Sequence, residues 1–428
     1  MYNIEERKIS WIGKIPENWE LKKIKYILKD RNENNNPIRS TDILSLTAKQ
    51  GVIPIAEKEG GGNKPKEDFS AYKLAYPGDI VLNSMNILSG SVGLSKYFGC
   101  VSPVYYMLRP IDNNNDVRYF NYIFQTEMFQ KSLLGLGNGI LMKESDNGKY
   151  NTIRMRIPLS KLNDLYIPIP SKEEQKKISD VLDKKCNYID SISKEIEQQI
   201  EKIETYKRSL ISECVMFGID KNYEKKDSNI FYVGNINANW SIKKIGYICK
   251  KLNRSFKSED IPLICSNQGK VLIRPDDVRG KMVSEDNAMQ GIKKGDIAIH
   301  GMDTWHGAIA VSNFNGKITR VVHVCETTQD KRYVTYYLQH LAFQGVYKLI
   351  SNGVRGNTSD FRSWEKVRNI YIPIPSKEEQ RKISDYLDNK NIEIDNIIEF
   401  KKKQLDILEK YKTTLIYEYV TGKKEVSE

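Results

Sequence analysis

The segment Tyr166-Ile-Pro-Ile-Pro-Ser-Lys-Glu-Glu-Gln175 occurs twice in this chain, the second time from Tyr371 to Gln380, which is 205 positions later. The two copies also continue alike, as Lys-Lys-Ile-Ser-Asp180 and Arg-Lys-Ile-Ser-Asp385. A repeat at a fixed spacing indicates that one structural unit is used more than once. We therefore interpret the chain as a duplication.

Each copy predicts a short strand followed by a long helix. The two prolines favour extended backbone before them and exclude a helix that contains them. Ser171 stands where a helix N-cap is expected, and Glu174, three residues later, can close a capping box. Ser376 and Glu379 hold the same places in the second copy.

The residues after each cap carry an apolar heptad pattern, which is typical of helices that pair with each other. The second pattern departs at Lys401, where a seam position is charged. Gly218 and Gly422 predict the helix ends, so each helix spans roughly 45 residues, or about 65–70 Å at about 1.5 Å per residue. The predicted seam is Leu182, Ile189, Ile196, Ile203 and Leu210, with Ile178, Ile192, Ile200 and Tyr206, and in the second helix Leu387, Ile394, Leu408 and Leu415, with Ile397 and Tyr411.

The composition is that of a folded, basic protein. Its 428 residues are 39% hydrophobic and carry a formal net charge of +12. Residues 171–217 and 376–420 each contain nine Lys or Arg and ten Asp or Glu, so the helices contribute −2 and the remainder +14. A basic surplus confined to the globular parts favours a polyanionic partner, with nucleic acid first, although many lysine-rich surfaces serve only solubility.

The sequence lacks the features of membrane, secreted and metal-binding proteins. No apolar run reaches membrane length and the N-terminus has no signal-peptide core, which predicts a cytoplasmic protein with no membrane segment. The six cysteines have no paired spacing and the four histidines have no spacing typical of ligands. We therefore predict reduced thiols and no metal site.

The regions before the two helices also match each other. Trp19-Glu-Leu-Lys-Lys-Ile-Lys-Tyr26 matches Trp240-Ser-Ile-Lys-Lys-Ile-Gly-Tyr247 at an offset of 221, and later matches fall at offsets of 217 and 214. The falling offset predicts one domain used twice, with shorter loops in the second copy. Short apolar runs predict strands at 80–82, 101–108, 297–299 and 321–324, and an amphipathic helix follows at 117–134 and at 332–350.

These patterns predict an α+β fold in which two repeated mixed α/β domains alternate with two long helices. The first domain spans residues 1–165 and is followed by a central helical spacer at 166–218. The second domain spans residues 219–370 and is followed by a C-terminal helical spacer at 371–428.

Loops rich in Gly, Asn, Ser and Lys join the predicted strands, at 59–65, 83–91, 137–150, 267–270, 300–307 and 352–358. Asn and Gln can pair with adenine, and Arg and Lys with guanine or phosphate. Any one such loop is an ordinary turn, and only their recurrence at equivalent places in two basic domains favours a DNA interface. The predicted DNA-binding residues are Lys64, Asn83, Ser84, Asn86, Ser89, Lys143, Lys149, Asn267, Gln268, Lys270, His300, Asp303, Thr304, His306, Arg355 and Asn357.

Motifs for catalysis are missing. The sequence has no Asn-Pro-Pro-aromatic or Asp-Pro-Pro-Tyr segment for amino-group methylation, and no glycine-rich nucleotide-binding loop after a strand. Pro275-Asp-Asp is not followed by the acidic-x-Lys strand of a nuclease. We therefore predict no catalytic residue and no cofactor in this chain.

The order of domain, Ile-Pro-Ile-Pro-Ser-Lys-Glu-Glu-Gln helix, domain and the same helix again resembles the DNA-specificity subunits of type I restriction-modification systems, over nearly the whole chain. The resemblance implies two target-recognition domains, at 16–165 and 237–370, each reading one half of a bipartite, asymmetric target on double-stranded DNA. It also implies that the two helices form an antiparallel coiled coil that spaces the domains and docks two methyltransferase subunits.

The same resemblance implies partner contacts and cofactors. Residues placed for partner contact, which can equally serve only as helix caps, are Glu173, Glu174, Gln175, Glu378, Glu379 and Gln380. The methyltransferase subunits would carry S-adenosylmethionine and methylate adenine N6, and restriction-translocase subunits would use ATP and Mg²⁺. This chain would supply the recognition of the DNA sequence and the scaffold for the other subunits.

Two other classes of protein stay open at this point. A free-standing sequence-specific DNA-binding regulator would be stable and active as a single chain. A fused restriction-modification enzyme would methylate DNA as a pure chain, which the missing methylation motif argues against.

Overall fold

The computed structural model describes residues 11–48, 50–58, 67–137, 143–144, 150–151, 156–275, 288–351 and 361–426. Residues 1–195 together with 403–428 form one compact unit, and residues 196–402 form a second. Each unit therefore combines a globular domain with parts of both long helices.

In the first unit, the helices are α1 (Val117–Gln125), α2 (Glu127–Ser132), α3 (Leu159–Asn163) and the N-terminal part of α4 (Lys172–Phe217). The strands are β1 (Glu20–Lys23), β2 (Leu28–Asp30), β3 (Leu44–Thr47), β4 (Gly51–Pro54), β5 (Lys73–Ala75), β6 (Ile80–Asn83), β7 (Val92–Leu94), β8 (Gly99–Val101), β9 (Tyr105–Pro110), β10 (Lys143–Glu144), β11 (Tyr150–Asn151) and β12 (Tyr166–Ile169).

In the second unit, the helices are the C-terminal part of α4, α5 (Ile245–Ile248), α6 (Lys331–Phe343), α7 (Val346–Leu349), α8 (Trp364–Arg368) and the N-terminal part of α9 (Lys377–Val420), whose end belongs to the first unit. The strands are β13 (Lys225–Asp227), β14 (Asn235–Asn237), β15 (Ser241–Lys244), β16 (Cys249–Lys251), β17 (Leu263–Ser266), β18 (Lys270–Ile273), β19 (Met289–Ile292), β20 (Ile297–His300), β21 (Ile309–Val311), β22 (Gly316–Thr319), β23 (Val322–Thr327) and β24 (Tyr371–Ile374).

The two domains share one topology, which confirms the predicted duplication. A four-stranded antiparallel sheet has the order β2-β9-β6-β7 in the first and β16-β23-β20-β21 in the second. Smaller antiparallel pairs also correspond: β1-β12 with β15-β24, β3-β4 with β17-β18, and β5-β8 with β19-β22. The strand predicted at 101–108 is interrupted, because residues 102–104 form a turn between β8 and β9.

A helix from each domain packs its apolar face onto the four-stranded sheet. In the first domain Phe120, Phe124 and Phe129 are fully buried together with Ile80 and Leu108. Burying side chains of this size contributes roughly 1.5–3 kcal/mol each, so this layer is a main source of domain stability.

The single helices predicted at 117–134 and 332–350 are each divided in two. Thr126 interrupts the first, because its backbone is extended and its hydroxyl caps α2 by accepting from Phe129 N. Gly345 divides the second, since its φ of +70° lies in the left-handed region, which glycine adopts without steric cost.

The repeated strand–helix junction has the predicted N-caps. Ser171 Oγ accepts from Glu174 N at 3.2 Å, and Ser376 Oγ accepts from Glu379 N at 3.2 Å. In a capping box, the side chains of Glu174 and Glu379 would accept from the backbone of the caps. They accept instead from indole nitrogens at 3.1 Å, Glu174 from Trp19 and Glu379 from Trp240. The tryptophan that opens each domain thus bonds to the helix that follows it.

The glutamine of the repeated segment lies in the interior. Gln175 is fully buried, and its amide nitrogen donates at 3.1 Å to Pro170 O and to Asn115 Oδ1. Its Oε1 accepts from Asp116 N at 3.1 Å. Gln380 is buried in the same way and bonds to Gln329, Pro375 and Asp330. Folding alone therefore explains why this residue is present in both copies.

The long helices pair antiparallel in each unit, as predicted. In the first, Asp190 accepts from Lys412 at 2.6 Å and Lys185 donates to the hydroxyl of Tyr419 at 3.3 Å. In the second, Lys207 bonds to Asp395 and Lys401 to Gln199, with donor–acceptor distances of 2.5 and 2.6 Å. Rising numbers on α4 meet falling numbers on α9 in both cases. Both helices end before a glycine with positive φ, Gly218 and Gly422.

Part of the predicted seam is wrong. The residues Leu182, Ile189, Ile196, Leu387, Ile394 and Leu415 are buried. Tyr206, Ile397 and Tyr411, however, are 57%, 47% and 51% exposed. A straight α-helix has 3.6 residues per turn, so a strict heptad drifts by about 20° per repeat around its surface, and these positions lie outside the contact.

Candidate nucleic-acid interface

The turn after β6 and the turn after β20 have one backbone and two different sequences. Asn83-Ser-Met-Asn-Ile-Leu-Ser-Gly90 corresponds to His300-Gly-Met-Asp-Thr-Trp-His-Gly307. Each contains a 3₁₀ turn that ends at a glycine with φ near +79° or +78°. The matching hydrogen bonds are Asn86 N to Asn83 O at 3.1 Å and Asp303 N to His300 O at 3.2 Å, and Ser89 N to Asn86 O and His306 N to Asp303 O, both at 3.0 Å.

The side chains of these turns divide into inward and outward sets. Asn83 and Ser84 are buried and bonded inside the domain: Asn83 Oδ1 accepts from Met85 N, and Ser84 Oγ donates to Val104 O. Thr304 is also fully buried. These three predicted DNA-binding residues form the turns and are buried, with at most 8% of a residue's surface exposed.

The outward set offers hydrogen-bonding groups to solvent. Asn86 and Ser89 are exposed in the first turn, and His306 is exposed in the second, where Asp303 keeps 39% of its side chain accessible. His300 is half-buried, and burial lowers the pKa of its imidazole although Asp303 counteracts this. Its Nδ1 accepts from Asp303 N at 3.1 Å. The chemistry at the two turns therefore differs while the backbone is the same.

Each turn also anchors the end of a long polar segment. Ile157 N donates to Ser84 O at 2.9 Å, and Phe361 N donates to Gly301 O at 3.0 Å. The carbonyls of these two residues accept from Tyr106 and His323 at 3.0 and 2.7 Å. The segments that return here contain the predicted loops at 137–150 and 352–358, most of which lie outside the described residues.

In the second domain the β17–β18 hairpin lies beside the turn. Asn267 and Gln268 are exposed at its tip, and Asn267 O lies 4.0 Å from the position that a Cβ on Gly307 would occupy. Two of the predicted loops are thus neighbours. Lys270 is exposed but lies 3.9 Å from Asp395 of α9. The predicted residues Lys64, Lys149, Arg355 and Asn357, and the side chain of Lys143, lie outside the described residues.

The residues predicted for partner contact differ in accessibility. Glu173 and Glu378 are exposed in the first turns of α4 and α9. Glu174 and Glu379 are half-buried against the tryptophans, and burial raises the pKa of Glu379. Gln175 and Gln380 have no exposed surface.

Two sets of surface residues were not identified from the sequence as candidates for partner contact. Tyr26 and Tyr247 hold equivalent positions and are 66% and 80% exposed. Beside them Lys23 lies 5.6 Å from the ring centre of Tyr166, and Lys244 lies 5.3 Å from that of Tyr371. The signal was present, because the two tyrosines recur in both copies although the core does not require them.

The described residues offer little for catalysis. Within these ranges no group of three or more His, Cys, Asp or Glu side chains is arranged to hold a metal ion. The six cysteines are buried and free. None of the helices in the described ranges has the length and hydropathy of a membrane span. The exposed turns provide hydrogen-bond donors and acceptors, which suit recognition.

Comparison with known proteins agrees with this geometry. The model of the family described as type I restriction modification DNA specificity domain matches residues 16–202 and 237–411. The MjaX type I restriction enzyme specificity subunit of Methanocaldococcus jannaschii is 25% identical over 99% of this chain and 98% of its own. The MjaVIII specificity subunit of the same organism is 23% identical over 96% of this chain and 94% of its own.

A solved structure shares the fold. It comes from a study of complex assembly and conformational transition in a type I restriction-modification system, and it has a TM-score of 0.67 at 14% identity. The match covers 96% of this chain and 100% of the other. With a family match in each half, joined to the repeated helix entry and the duplicated topology, this chain belongs to the family of type I restriction-modification DNA-specificity proteins.

Proposed function

We propose that each domain of this specificity subunit reads one half of a bipartite DNA target through the turn after β6 or β20. One observation carries the proposal: the two turns keep the same backbone hydrogen bonds while their exposed side chains differ. A constant frame with variable polar groups is suited to reading different bases at the same place in two domains. The two half-sites should therefore differ in sequence.

The outward groups define what each turn can bind. Asn86 offers an amide that can pair with adenine, and Ser89 offers a hydroxyl that pairs with several bases. Asp303 is an acceptor that suits the amino group of cytosine, and its charge disfavours a phosphate. His306 is exposed beside it. The second turn is thus the more restrictive of the two.

Exchanging the turns tests this function. The second turn would receive the first turn's residues at four of the six positions where the two differ: Asp303→Asn, Thr304→Ile, Trp305→Leu and His306→Ser. Because the backbone bonds are common to both turns, the domain should fold. In cells that also carry the partner subunits, mapping of N6-methyladenine should show a changed second half-site and an unchanged first half-site.

Thr304→Ile alone is the matched control, since this side chain is fully buried, and it should leave the motif unchanged. A motif that keeps both half-sites after the full exchange would refute the assignment of base reading to these turns.

We further propose that the surfaces common to both domains bind partners that are the same on both sides. Trp19 and Ile24 are buried, so the core explains why they recur. The exposed tyrosines at 26 and 247 have no such reason to recur, whereas Lys23 and Lys244 bond to Asp164 and Asn369 within their own domains. Exposed aromatic residues are typical of protein interfaces, and a methyltransferase subunit is the expected partner at each.

Stoichiometry tests this docking. Tyr26→Ala and Tyr247→Ala should each leave one methyltransferase subunit on the complex in native mass spectrometry, and the double variant should leave none. A double variant that retains both subunits would exclude these surfaces. The S-adenosylmethionine of those subunits, and the ATP and Mg²⁺ of restriction-translocase subunits, remain part of the same proposal.

A further inference from the structure

A cavity of ≈ 670 Å³ in the second unit has several cations around its rim. We call it the cation pocket and define it by Lys294, Lys331, Lys377 and Arg381. Lys294 lies in the turn before β20, Lys331 begins α6, and Lys377 and Arg381 lie in the first turns of α9. A Cβ on Gly295 would lie 2.6 Å from Lys331 Nζ, which places this ammonium over the turn that carries Lys294.

The acidic residues of the pocket are already engaged. Asp388 and Asp330 lie 2.7 and 3.4 Å from the guanidinium nitrogens of Arg332. Asp330 also accepts from Ser384 Oγ at 2.9 Å. Asp385 lies 2.8 Å from the same arginine. Arg332 therefore pairs with all three acids that line or border the pocket, and its one charge leaves this cluster at −2.

Other nearby carboxylates are paired elsewhere. Glu378 lies 2.7 Å from Lys382, and Asp296 lies 3.1 Å from Arg254. Among the residues that the structure describes, the four cations of the pocket have no ion-pair partner. The four cations of the pocket thus stand against the net −2 of the Arg332 cluster, which leaves a surplus of +2 around one concave space, and an anion would relieve the electrostatic cost of that surplus.

The first domain shows that the repeated scaffold does not need the full set of charges, although Lys176 keeps the charge of Arg381. Pro77 and Val117 occupy the positions of Lys294 and Lys331. Lys172, the counterpart of Lys377, lies 2.7 Å from Asp112 and is thereby neutralised. The uncompensated set is particular to the second domain, which indicates a ligand bound once per chain.

Position and shape select the kind of anion. The pocket opens at the ends of β20 and β21 that lie away from the turn at 301–307, about 13 Å distant for four residues at about 3.3 Å each. Its lining contains no aromatic side chain on which a base could stack. Its volume is that of a small-ligand site. We propose that the cation pocket binds a small polyphosphate, a linear chain of three or more phosphates, free or as the tail of a nucleotide.

Binding would join three elements of the second unit. The phosphates would bridge the first turns of α9 to the start of α6 and to the turn before β20. The ligand should therefore raise the melting temperature of the second unit. Because the contacts are ionic, this stabilisation should weaken as salt concentration rises.

The full-length chain, free of divalent cations and at low salt, provides the test. Isothermal titration with inorganic tripolyphosphate should show one site per chain. The triple variant Lys294→Ala, Lys331→Ala, Arg381→Gln should bind at least about tenfold more weakly, since each lost contact is charge-assisted. The matched control Lys96→Ala, Lys176→Gln changes equivalent or neighbouring cations of the first domain and should bind as the unaltered chain does.

Two further measurements distinguish a free phosphate chain from the tail of a nucleotide, and lost binding from lost folding. A nucleoside triphosphate that binds as tightly as tripolyphosphate assigns the site to the phosphate chain, and tighter binding assigns it to the tail of a nucleotide. The ligand-free triple variant should melt no lower than the unaltered chain, because repulsion has been removed, which shows that it is folded. Its methylated DNA motif should be unchanged, so this result stands apart from the proposed reading of DNA.

The proposal is overturned if the unaltered chain does not bind tripolyphosphate, or if the triple variant binds it equally well. It is also overturned if the variant's only defect is weaker binding to duplex DNA with a reduced salt dependence, because the cations would then be contacts to the DNA backbone.

Discussion

Replacing Gln175 by Met separates an interior role from a role in partner contact. Methionine keeps the volume of the side chain but removes its hydrogen bonds. Gln175 makes three of these, each at 3.1 Å, with Asn115, Pro170 and Asp116. At about 1 kcal/mol net for each bond, and with buried groups left unpaired, we expect a loss of about 3 kcal/mol in the free energy of unfolding.

This loss should be confined to the first unit. For a domain of 150–250 residues it corresponds to a fall in melting temperature of roughly 2–4 °C per kcal/mol, or about 6–12 °C. Hydrogen-exchange mass spectrometry of the full chain reads the two units separately, and protection should fall only in peptides of the first. Gln380→Met should reproduce the effect in the second unit.

Lys176→Gln, an exposed change next to Gln175, is the control and should leave protection unchanged. If Gln175→Met left the stability of the first unit within about 0.5 kcal/mol of its original value but abolished co-purification of the methyltransferase subunit, the interior role would be refuted. The contact role predicted from the sequence would then be restored.

Three other changes have expected outcomes. Tyr119→Phe removes a hydroxyl that donates to two buried carbonyls, at 3.1 and 3.2 Å, and should cost about 1–3 kcal/mol in denaturant unfolding; an unchanged midpoint would count against those bonds. Burial lowers the pKa of His340 to about 4, below its value of about 6.5 in an unfolded chain. As the pH falls, the unfolded state therefore binds a proton before the folded state does. The free energy of unfolding should fall by about 2 kcal/mol from pH 8 to pH 5. In His340→Gln this fall should be smaller, and an unaltered pH profile would contradict the assignment. Inserting seven residues after Ile196 and seven after Lys401 keeps the heptad phase and adds about 10 Å to each helix. The gap between the two half-sites should therefore widen by up to roughly three base pairs at about 3.4 Å each. A methylated motif with its original gap would show that the helices do not set the gap.

Much of the architecture was predictable because its causes are local. The N-cap at Ser171 needs only a hydroxyl before a helix, and the end at Gly218 needs only a residue that tolerates positive φ. The duplication was readable from matched letters. The roles of Glu174 and Gln175 could not be predicted, because their partners Trp19 and Asp116 lie far from them in the chain. Sequence spacing does not show that these partners come together in the fold.

The candidate site divides in the same way. Polar composition selected these turns as candidates, but polarity alone could not separate Asn83 and Ser84, which bond inside the domain, from Asn86 and Ser89, which face solvent. The cation pocket was equally hidden. Its four cations are spread over 88 positions from Lys294 to Arg381, and no local pattern connects them.

By itself, the sequence determined the repeat, the two capped helices with an apolar seam for pairing, the basic character of the globular domains and the resemblance that led to the family and implied the antiparallel direction. These depend on periodicity, capping chemistry and composition, which act over a few residues or show directly as repeated letters. Only the tertiary structure decided which polar groups of a turn are accessible, which acids pair with Arg332 and which cations are left without an ion-pair partner. Accessibility and pairing depend on distances between segments remote in the chain, and these distances exist only once the sheet and helices have packed.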